Sequence, residues 1–273
     1  MATLDEYANK YQCVRMERRD GILQITLHTN GGSLQWGGTP HEELPEAFHD
    51  IGSDRENRVV IMTGAGDAFT GCNDTIALYN PAHGVDFEGE FGVLTTDVHV
   101  GATPDEAMRA IKLVVQLNDI SYRGLAPREM KTGFGFVQAK GETAFAPFAV
   151  TPDELGDSWA DGRIHLTLNI TRNGEWFGSP SGSEMHFGFH ELIAHAATTR
   201  PIKAGTVFGS GTVSNANPEA GQACIAELRA KELIKHGKPQ TPFLSEGETV
   251  HMVCRDNQGQ PLFGEINQTV KGG

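Results

Sequence analysis

The stretch Gly84-Val85-Asp86-Phe87-Glu88-Gly89-Glu90-Phe91 decides how the centre of this chain folds. Acidic and apolar residues alternate along it, and alternate side chains of a β-strand point to opposite faces of the sheet. Glu88 and Glu90 therefore share one face, while Phe87 and Phe91 share the other. A solvent-facing amphipathic strand would show the same pattern. Two neighbouring carboxylates with partners elsewhere in the chain would instead hold a cation or a proton.

A third carboxylate, Asp119, follows the apolar run Ile111–Asn118, and we expect a strand to end there. The sequence Thr103–Glu106 is a capping box with proline at the first helical position, so it predicts a helix ahead of that strand. Asp86 and Asp97 extend the acidic row of the first strand. Asp119 could equally form a turn. Three oxygen ligands without a His or Cys cluster favour Mg²⁺, Mn²⁺ or Ca²⁺ over Zn²⁺.

The second part of the chain contains seven stretches that belong together, namely Gly84–Gly92, Leu117–Arg123, Gly133–Val150, Pro152–Thr171, Phe187–Asn215, Gly221–Gly247 and Phe263–Val270. In content and order they resemble the fumarylacetoacetate hydrolase family, and the resemblance covers residues 81–273. It implies an α+β catalytic domain over residues 81–273, built mainly from β-strands as a mixed sandwich or roll.

The resemblance implies the ligands of a divalent metal ion. Glu88 and Glu90 match the family's Glu-x-Glu pair, and Asp119 matches its third carboxylate. The expected cofactor is Mg²⁺, with Mn²⁺ or Ca²⁺ as alternatives.

The resemblance also implies roles for residues around the metal. Lys140 would be the active-site lysine, Thr212 would contact substrate from a glycine-rich loop, and Arg123 would bind a substrate carboxylate or carbonyl. A surface lysine and an ordinary turn are the alternatives for Lys140 and Thr212. Tyr79 is a further candidate for substrate contact. Family members carry a water-activating residue upstream of the Glu-x-Glu pair, and Asp74, Tyr79 and His83 are the nearby candidates here, although each could be purely structural.

The first 80 residues predict a separate ββα-β unit. Cys13–Thr29 indicates a hairpin around Asp20-Gly21, and a second capping box at Thr39–Glu42 indicates a helix. The apolar run Arg58–Gly64 predicts a buried strand.

This first segment contains three stretches, Gly64–Gly71, Ser33–Trp36 and His41–Leu44, that carry a second resemblance. They are similar to the crotonase superfamily, in particular to its members that cleave β-diketones, and Gly64–Gly71 is similar to the superfamily's first oxyanion-hole loop. His41 would then lie near a catalytic site, although an exposed histidine at a helix start is the simpler interpretation. The loop departs from the superfamily pattern after Phe69, and the second oxyanion donor and the catalytic acids are missing.

Elements of the second part follow from short patterns. The Asn173-Gly174 pair after His165–Thr171 predicts a hairpin. Helices are expected at 190–197 and 222–230, and strands at 206–208 and 250–254. Asn257–Gln260 is expected to turn the last hairpin.

Composition narrows the classes of function. The chain has 273 residues, a net charge of −13 and a pI near 5.2, which argues against nucleic acid or an anionic membrane as partner. It contains neither a membrane-spanning apolar run nor an N-terminal signal pattern. The scattered cysteines are typical of a reducing cytoplasm. We further expect a homodimer.

These observations predict a metal-dependent hydrolase that cleaves a C–C bond in a small 1,3-diketone or acylpyruvate. An isomerase or decarboxylase acting on a related keto acid is one alternative. A crotonase-type β-diketone hydrolase or hydratase is another. A fusion that lacks a complete site and has no activity is the third.

Overall fold

The computed structural model describes residues 3–35, 38–66, 75–256 and 258–272. It divides the chain into two compact units, Met1–Asp74 and Thr75–Gly273. The sequence places this division slightly later, between residues 80 and 81. No helix among the described residues is long and apolar enough to cross a bilayer.

The first unit contains the predicted ββα-β order of elements. Asp20 and Gly21 both take a positive φ, 50° and 80°, and close the predicted hairpin. The second strand pairs antiparallel with the first and parallel with the third. The described elements are α1 (Leu4–Tyr7), β1 (Val14–Arg19), β2 (Ile22–Leu27), α2 (Gly38–Ser53) and β3 (Val59–Gly64). Thr39 therefore lies inside α2, not at its N-cap.

Strand β3 is not buried, and that prediction was wrong. Its apolar side chains from Val59 to Met62 are between 44% and 51% exposed. Helix α2 packs its buried residues Leu44, Ala47 and Ile51 with the core of β1 and β2, and the core of this unit includes no described residue of β3. A continuous apolar run is typical of a strand covered on both faces. The described part of the first unit supplies no second layer for it.

The second unit contains two five-stranded sheets and short helices. Its elements are β4 (Thr75–Leu78), β5 (Val85–Asp86), β6 (Gly89–Thr95), α3 (Pro104–Ala110), β7 (Ile111–Tyr122), α4 (Ala126–Thr132), β8 (Lys140–Phe145), β9 (Trp159–Ala160), β10 (Arg163–Ile164), β11 (Leu168–Arg172), β12 (Glu175–Gly178), α5 (Phe189–Ala196), β13 (Val207–Gly209), α6 (Ile225–His236), β14 (Thr249–Arg255) and β15 (Pro261–Gly272). We call β12-β11-β14-β15-β4 the backing sheet, and β13-β6-β7-β5 with β8 paired to β7 the acidic sheet.

Most short-range predictions for this unit hold. Thr103 caps α3 by accepting a hydrogen bond from the backbone N–H of Glu106. Asn173 and Gly174 turn the hairpin between β11 and β12. Helix α6 begins later than predicted and ends with Gly237 in the left-handed region. The predicted last turn joins β14 and β15, which pair antiparallel, and the Asp256 N–H donates to the Gln260 carbonyl at 2.9 Å. Asn257 itself lies outside the described residues.

Asp119 lies inside a strand, contrary to our expectation that a strand ends there. Strand β7 continues to Tyr122 because β5 and β8 pair with its last residues. Asp119 is opposite Thr143 of β8, and Ser121 is opposite Asp86 of β5. The polar residues that suggested an end are the part of β7 that carries the candidate site.

The two sheets pack closely behind the Glu-x-Glu pair. A Cβ on Gly89 would lie 2.7 Å from Ile170 Cδ1 and 2.9 Å from Leu168 Cδ2 of the backing sheet. Side-chain amides of the acidic sheet also cross between the layers. Asn118 Nδ2 donates to Gln268 Oε1 at 2.8 Å. These contacts fix β6 and β7 from behind.

We predict that Gly89→Ala lowers the free energy of unfolding by about 1–3 kcal/mol, because the new methyl group overpacks the contact between the sheets. Urea denaturation at neutral pH measures the change. Gly52→Ala is a useful control, since Gly52 lies in α2 with no atom within 4 Å of its Cβ position. That variant should keep or gain stability. Equal stability of wild type and Gly89→Ala would contradict the packing argument.

Candidate metal centre

Three carboxylates converge on the outer face of the acidic sheet. Strands β6 and β7 are antiparallel neighbours, with Glu90 opposite Leu117. The Asp119 N–H donates to the carbonyl of Glu88 at 3.0 Å. One oxygen from each of Glu88, Glu90 and Asp119 lies within 4.8 Å of the others. Glu88 and Glu90 are buried. Alternation puts Glu88 and Glu90 on one face, and the pairing of β7 with β6 adds Asp119, so the three predicted ligands come together.

Lys140 lies at the centre of this cluster. Its Nζ is 2.7 Å from Glu88 Oε2, 2.7 Å from Asp119 Oδ2 and 2.9 Å from Ser121 Oγ. Lys140 begins β8, and its pairing with Ser121 of β7 directs its side chain to the carboxylate face. It is a partly buried lysine, not a surface one.

Arg123 binds the carboxylate oxygen of Glu88 that Lys140 does not contact. Its Nη2 is 2.6 Å from Glu88 Oε1, and its Nε is 2.9 Å from Asp86 Oδ2. Asp86 is fully buried and also accepts hydrogen bonds from the N–H groups of Ile225 and Ala226, at the start of α6. Arg123 is therefore held in place by a carboxylate that α6 fixes.

Asp97 does not belong to this acidic row. It follows the end of β6, and its exposed carboxylate accepts from the Ala204 N–H and lies 3.9 Å from Lys203 Nζ. Alternation ends where β6 ends, at Thr95. The row consists of Asp86, Glu88 and Glu90.

The carboxylates are unequal in their proton affinity. Burial, with the charges of Glu88 and Asp119, raises the pKa of Glu90 to about 8. Burial also acts on Glu88, but Lys140 and Arg123 outweigh it and lower the pKa of that carboxyl. No ion pair of the described residues includes Glu90. The cluster therefore lacks positive charge at Glu90.

A divalent cation fits this deficit. Counted at their formal charges, four carboxylates and two basic side chains sum to −4 + 2 = −2, which one divalent cation would neutralise once Glu90 has lost its proton. The ligand atoms are all oxygen, as Mg²⁺, Mn²⁺ and Ca²⁺ prefer. The groups in this count are Asp86, Glu88, Glu90, Asp119, Arg123 and Lys140.

Thr212 lies in a loop that follows the edge of β6. The Val213 N–H donates to the Gly89 carbonyl at 3.0 Å, and a Cβ on Gly209 would lie 2.8 Å from Glu90 Oε2. Thr212 lines a cavity of about 240 Å³ together with Phe91 and further residues of the loop. The loop thus runs from the Glu90 carboxylate to this cavity.

Tyr79 and His83 are not brought to the cluster. The Tyr79 ring packs 6.4 Å from that of Tyr122, and the His83 ring packs 5.9 Å from it. Tyr122 alternates with Ser121 along β7 and so points away from the carboxylate face. The His41 side chain lies outside the described part of the structure, and so do Asp74 and the end of the crotonase-like loop, residues 67–74.

Two residues at the site were missed from sequence. Ser121 bonds Lys140, and Thr143 Oγ1 donates to Asp119 Oδ1 at 3.2 Å. Ser121 could have been predicted from the sequence, because it lies two residues after Asp119 in the same strand and so shares its face. Thr143 could not be found this way, since its position depends on the register between β7 and β8.

A family model described as "Fumarylacetoacetate (FAA) hydrolase C-terminal" matches residues 41–271. The match begins inside the segment for which we predicted a crotonase-like unit, so that part of the prediction is not supported. The 2,4-didehydro-3-deoxy-L-rhamnonate hydrolase of Sphingomonas sp. (strain SKA58) is 28% identical over 189 residues, which is 68% of this chain. This chain spans 57% of that relative's length.

Solved structures share the mixed α/β fold. A fumarylacetoacetate hydrolase family protein from Yersinia pestis CO92 superposes with a TM-score of 0.52 at 19% identity, covering 72% of this chain and 78% of that one. The 5-carboxymethyl-2-hydroxymuconate delta-isomerase from Mycobacterium smegmatis gives a TM-score of 0.51 at 19% identity, covering 73% and 63%. The neighbours thus include hydrolases and an isomerase.

We predict that chelator-treated protein loses stability as pH rises from about 4.5 to about 8, the ordinary and the raised pKa of Glu90. In this window the folded state keeps a proton that the unfolded chain releases. The contribution of Glu90 is at most about 1.4 kcal/mol per pH unit. Glu90→Gln removes it, so urea denaturation across this range should show a growing advantage for the variant. A constant difference between the two proteins would contradict the raised pKa.

Proposed function

The chain belongs to the fumarylacetoacetate hydrolase family, and from that premise we propose that it is a metal-dependent hydrolase that cleaves a C–C bond in a 1,3-diketone or acylpyruvate. The observation that supports this most is the convergence of Glu88, Glu90 and Asp119 around a deficit of positive charge, with Lys140 beside them.

In this proposal Glu88, Glu90 and Asp119 hold the cation, expected to be Mg²⁺, with Mn²⁺ or Ca²⁺ as alternatives. When bound, the ion supplies a Lewis acid that polarises the two oxygens of a β-dicarbonyl substrate. The buried position of Glu88 and Glu90 strengthens every electrostatic interaction at this centre. Glu90 would lose its proton when the cation binds.

Lys140 and Arg123 would act on the substrate directly. C–C cleavage of a 1,3-dicarbonyl places negative charge on an enolate, and acylpyruvates carry a carboxylate as well. Lys140 already donates to Glu88 and Asp119, and in this proposal it is the cationic donor to an enolate formed beside these carboxylates. Arg123 suits the carboxylate. Such charge-assisted hydrogen bonds are worth about 1.5–3 kcal/mol each. Thr212 is proposed to contact the substrate from its loop.

The water that attacks the carbonyl needs a base, and Tyr79 and His83 do not supply it, because both pack on the far side of β7. An isomerase or decarboxylase of a related keto acid needs no attacking water and is our second candidate function. The similarity to the isomerase from M. smegmatis also favours it. Two further possibilities are a crotonase-type reaction that uses His41 and a chain without activity.

The partners and setting of the protein are part of the same proposal. We propose a small keto acid or diketone as substrate, and expect a cytoplasmic homodimer with no role in binding nucleic acid or membrane.

We predict that Mg²⁺ or Mn²⁺ stabilises the wild-type protein against unfolding. A cation that binds only the folded state adds about 2.7 kcal/mol at 100 times its dissociation constant. Glu90→Gln should lose most of this gain, because one charged ligand is gone. Glu175→Gln, an exposed residue of β12, should keep it. Thermal denaturation with and without the metal measures the effect, and equal gains in wild type and Glu90→Gln would argue against these ligands.

The activity test uses an acylpyruvate such as acetopyruvate, with pyruvate and acetate measured as products. Wild type with Mg²⁺ or Mn²⁺ should release both products, and chelation should stop the reaction. Glu90→Gln should lower turnover by roughly 100-fold or more, since even an outer-shell partner of a metal ligand is worth about 10–100-fold. His41→Ala should change little.

Three different results would redirect the proposal. Enzyme-dependent keto–enol isomerisation, or released CO₂, without C–C hydrolysis would favour the isomerase or decarboxylase. Cleavage that survives Glu90→Gln and chelation but is lost in His41→Ala would move the site to the first segment. A wild type inert with every divalent metal would support the chain without activity.

A further inference from the structure

Two half-exposed phenylalanines border the carboxylate centre. The first, Phe145, lies on β8 opposite Leu117 of β7. Thr143, two residues earlier, donates to Asp119, which shows that this face of β8 is the carboxylate face. The Phe145 side chain therefore stands on the same face, one residue pair further along, and Phe145 is 37% exposed.

The second phenylalanine, Phe136, reaches the centre through Lys140. The Lys140 Nζ lies 6.0 Å from the centroid of the Phe136 ring, and the same Nζ binds Glu88 and Asp119. Phe136 is 48% exposed. Its ring thus borders the ion pairs while leaving a large part of its surface open.

The loop that carries Phe136 is held by one carboxylate. Glu129, in α4, accepts hydrogen bonds from three successive backbone N–H groups, at 2.9, 2.7 and 3.1 Å. These bonds, from Val137, Gln138 and Ala139, lower the pKa of Glu129. Hydrogen bonds to a charged acceptor are among the stronger ones in proteins. These bonds hold the backbone of residues 137–139, directly after Phe136, in a loop that packs little apolar surface.

From this arrangement we propose that Phe136 and Phe145 form a subsite for the acyl tail of the substrate, with Glu129 as the residue that positions Phe136. The inference rests on the proposed function. A β-dicarbonyl head group at the carboxylates would leave its tail next to these two rings. An aryl or planar unsaturated tail suits them best, because aromatic pairs gain energy beyond the burial of area.

Phe134 belongs to the same loop and provides a matched control. It is 96% exposed, and no contact of the described residues links it to Lys140 or the carboxylates. Nonspecific hydrophobic binding to this loop would depend on Phe134 as much as on Phe136. A subsite at the centre would use only Phe136 and Phe145.

The test compares benzoylpyruvate with acetopyruvate, which share the head group and differ in the tail. For Mg²⁺-loaded wild type and each variant, affinity is measured as KM where cleavage occurs and as a calorimetric Kd where it does not. We expect wild type to prefer benzoylpyruvate, and Phe136→Ala to reduce this preference about tenfold. Phe136→Leu should fall between them, and Phe134→Ala should match wild type.

Glu129→Gln tests the positioning role. It should reduce the preference for benzoylpyruvate in the wild-type background, and should add nothing in the Phe136→Ala background, because the residue it positions is already gone. Full additivity of the two substitutions would remove Glu129 from the proposal.

An unchanged preference in Phe136→Ala, or an equal loss in Phe134→Ala, would overturn the subsite. So would a change in subunit association caused by Phe136→Ala in sedimentation analysis, since the rings would then serve an interface between chains. If wild type binds both compounds with the expected preference but cleaves neither, the proposed reaction fails while the subsite stands.

Discussion

The concentration of negative charge on one sheet face is the constraint on which the second unit depends. Glu88 and Glu90 are buried, and the Asp119 carboxylate is close enough to bind the same cation as they do. Burying a carboxylate is costly unless charge or hydrogen bonds compensate it. Lys140 and Arg123 compensate Glu88, whereas Arg123 and the start of α6 offset only part of the cost of burying Asp86, and burial raises the pKa of that carboxyl. Burial, together with the charges of Glu88 and Asp119, raises the pKa of Glu90 to about 8.

The backing sheet makes this arrangement possible. Phe87 and Phe91 fill the core behind β6, and Gly89 admits the side chains of β11 between them. Asn118 ties β7 to β15 through Gln268. Because its rear face packs against the backing sheet, the acidic sheet holds β6 and β7 together although their carboxylates repel one another. The carboxylates on the front face repel one another and lower stability. The apolar packing between the two sheets, on the opposite face, offsets this loss.

The sequence predicted those parts of the site that depend on local rules. Strand alternation placed Glu88 and Glu90 on one face, and the family resemblance supplied Lys140 and Arg123. It did not predict Thr143, whose place depends on how β8 pairs with β7, or the exposure of β3, whose burial would need a covering layer. Asp119 was expected at a strand end because the apolar run stops there. The run does not show that β5 and β8 pair with the residues that follow and extend the strand. The three hydrogen bonds that Glu129 accepts depend on a loop conformation that no hydrophobic periodicity predicts.

A crystal of this protein soaked with Mn²⁺ and measured for anomalous scattering tests the central claim most directly. The account predicts one strong peak per chain, bound by oxygens of Glu88, Glu90 and Asp119 at about 2.1 Å. Lys140 would then no longer bridge Glu88 and Asp119 as it does at 2.7 Å here. A structure without a peak at these carboxylates, with Lys140 still between them at saturating Mn²⁺, would contradict it.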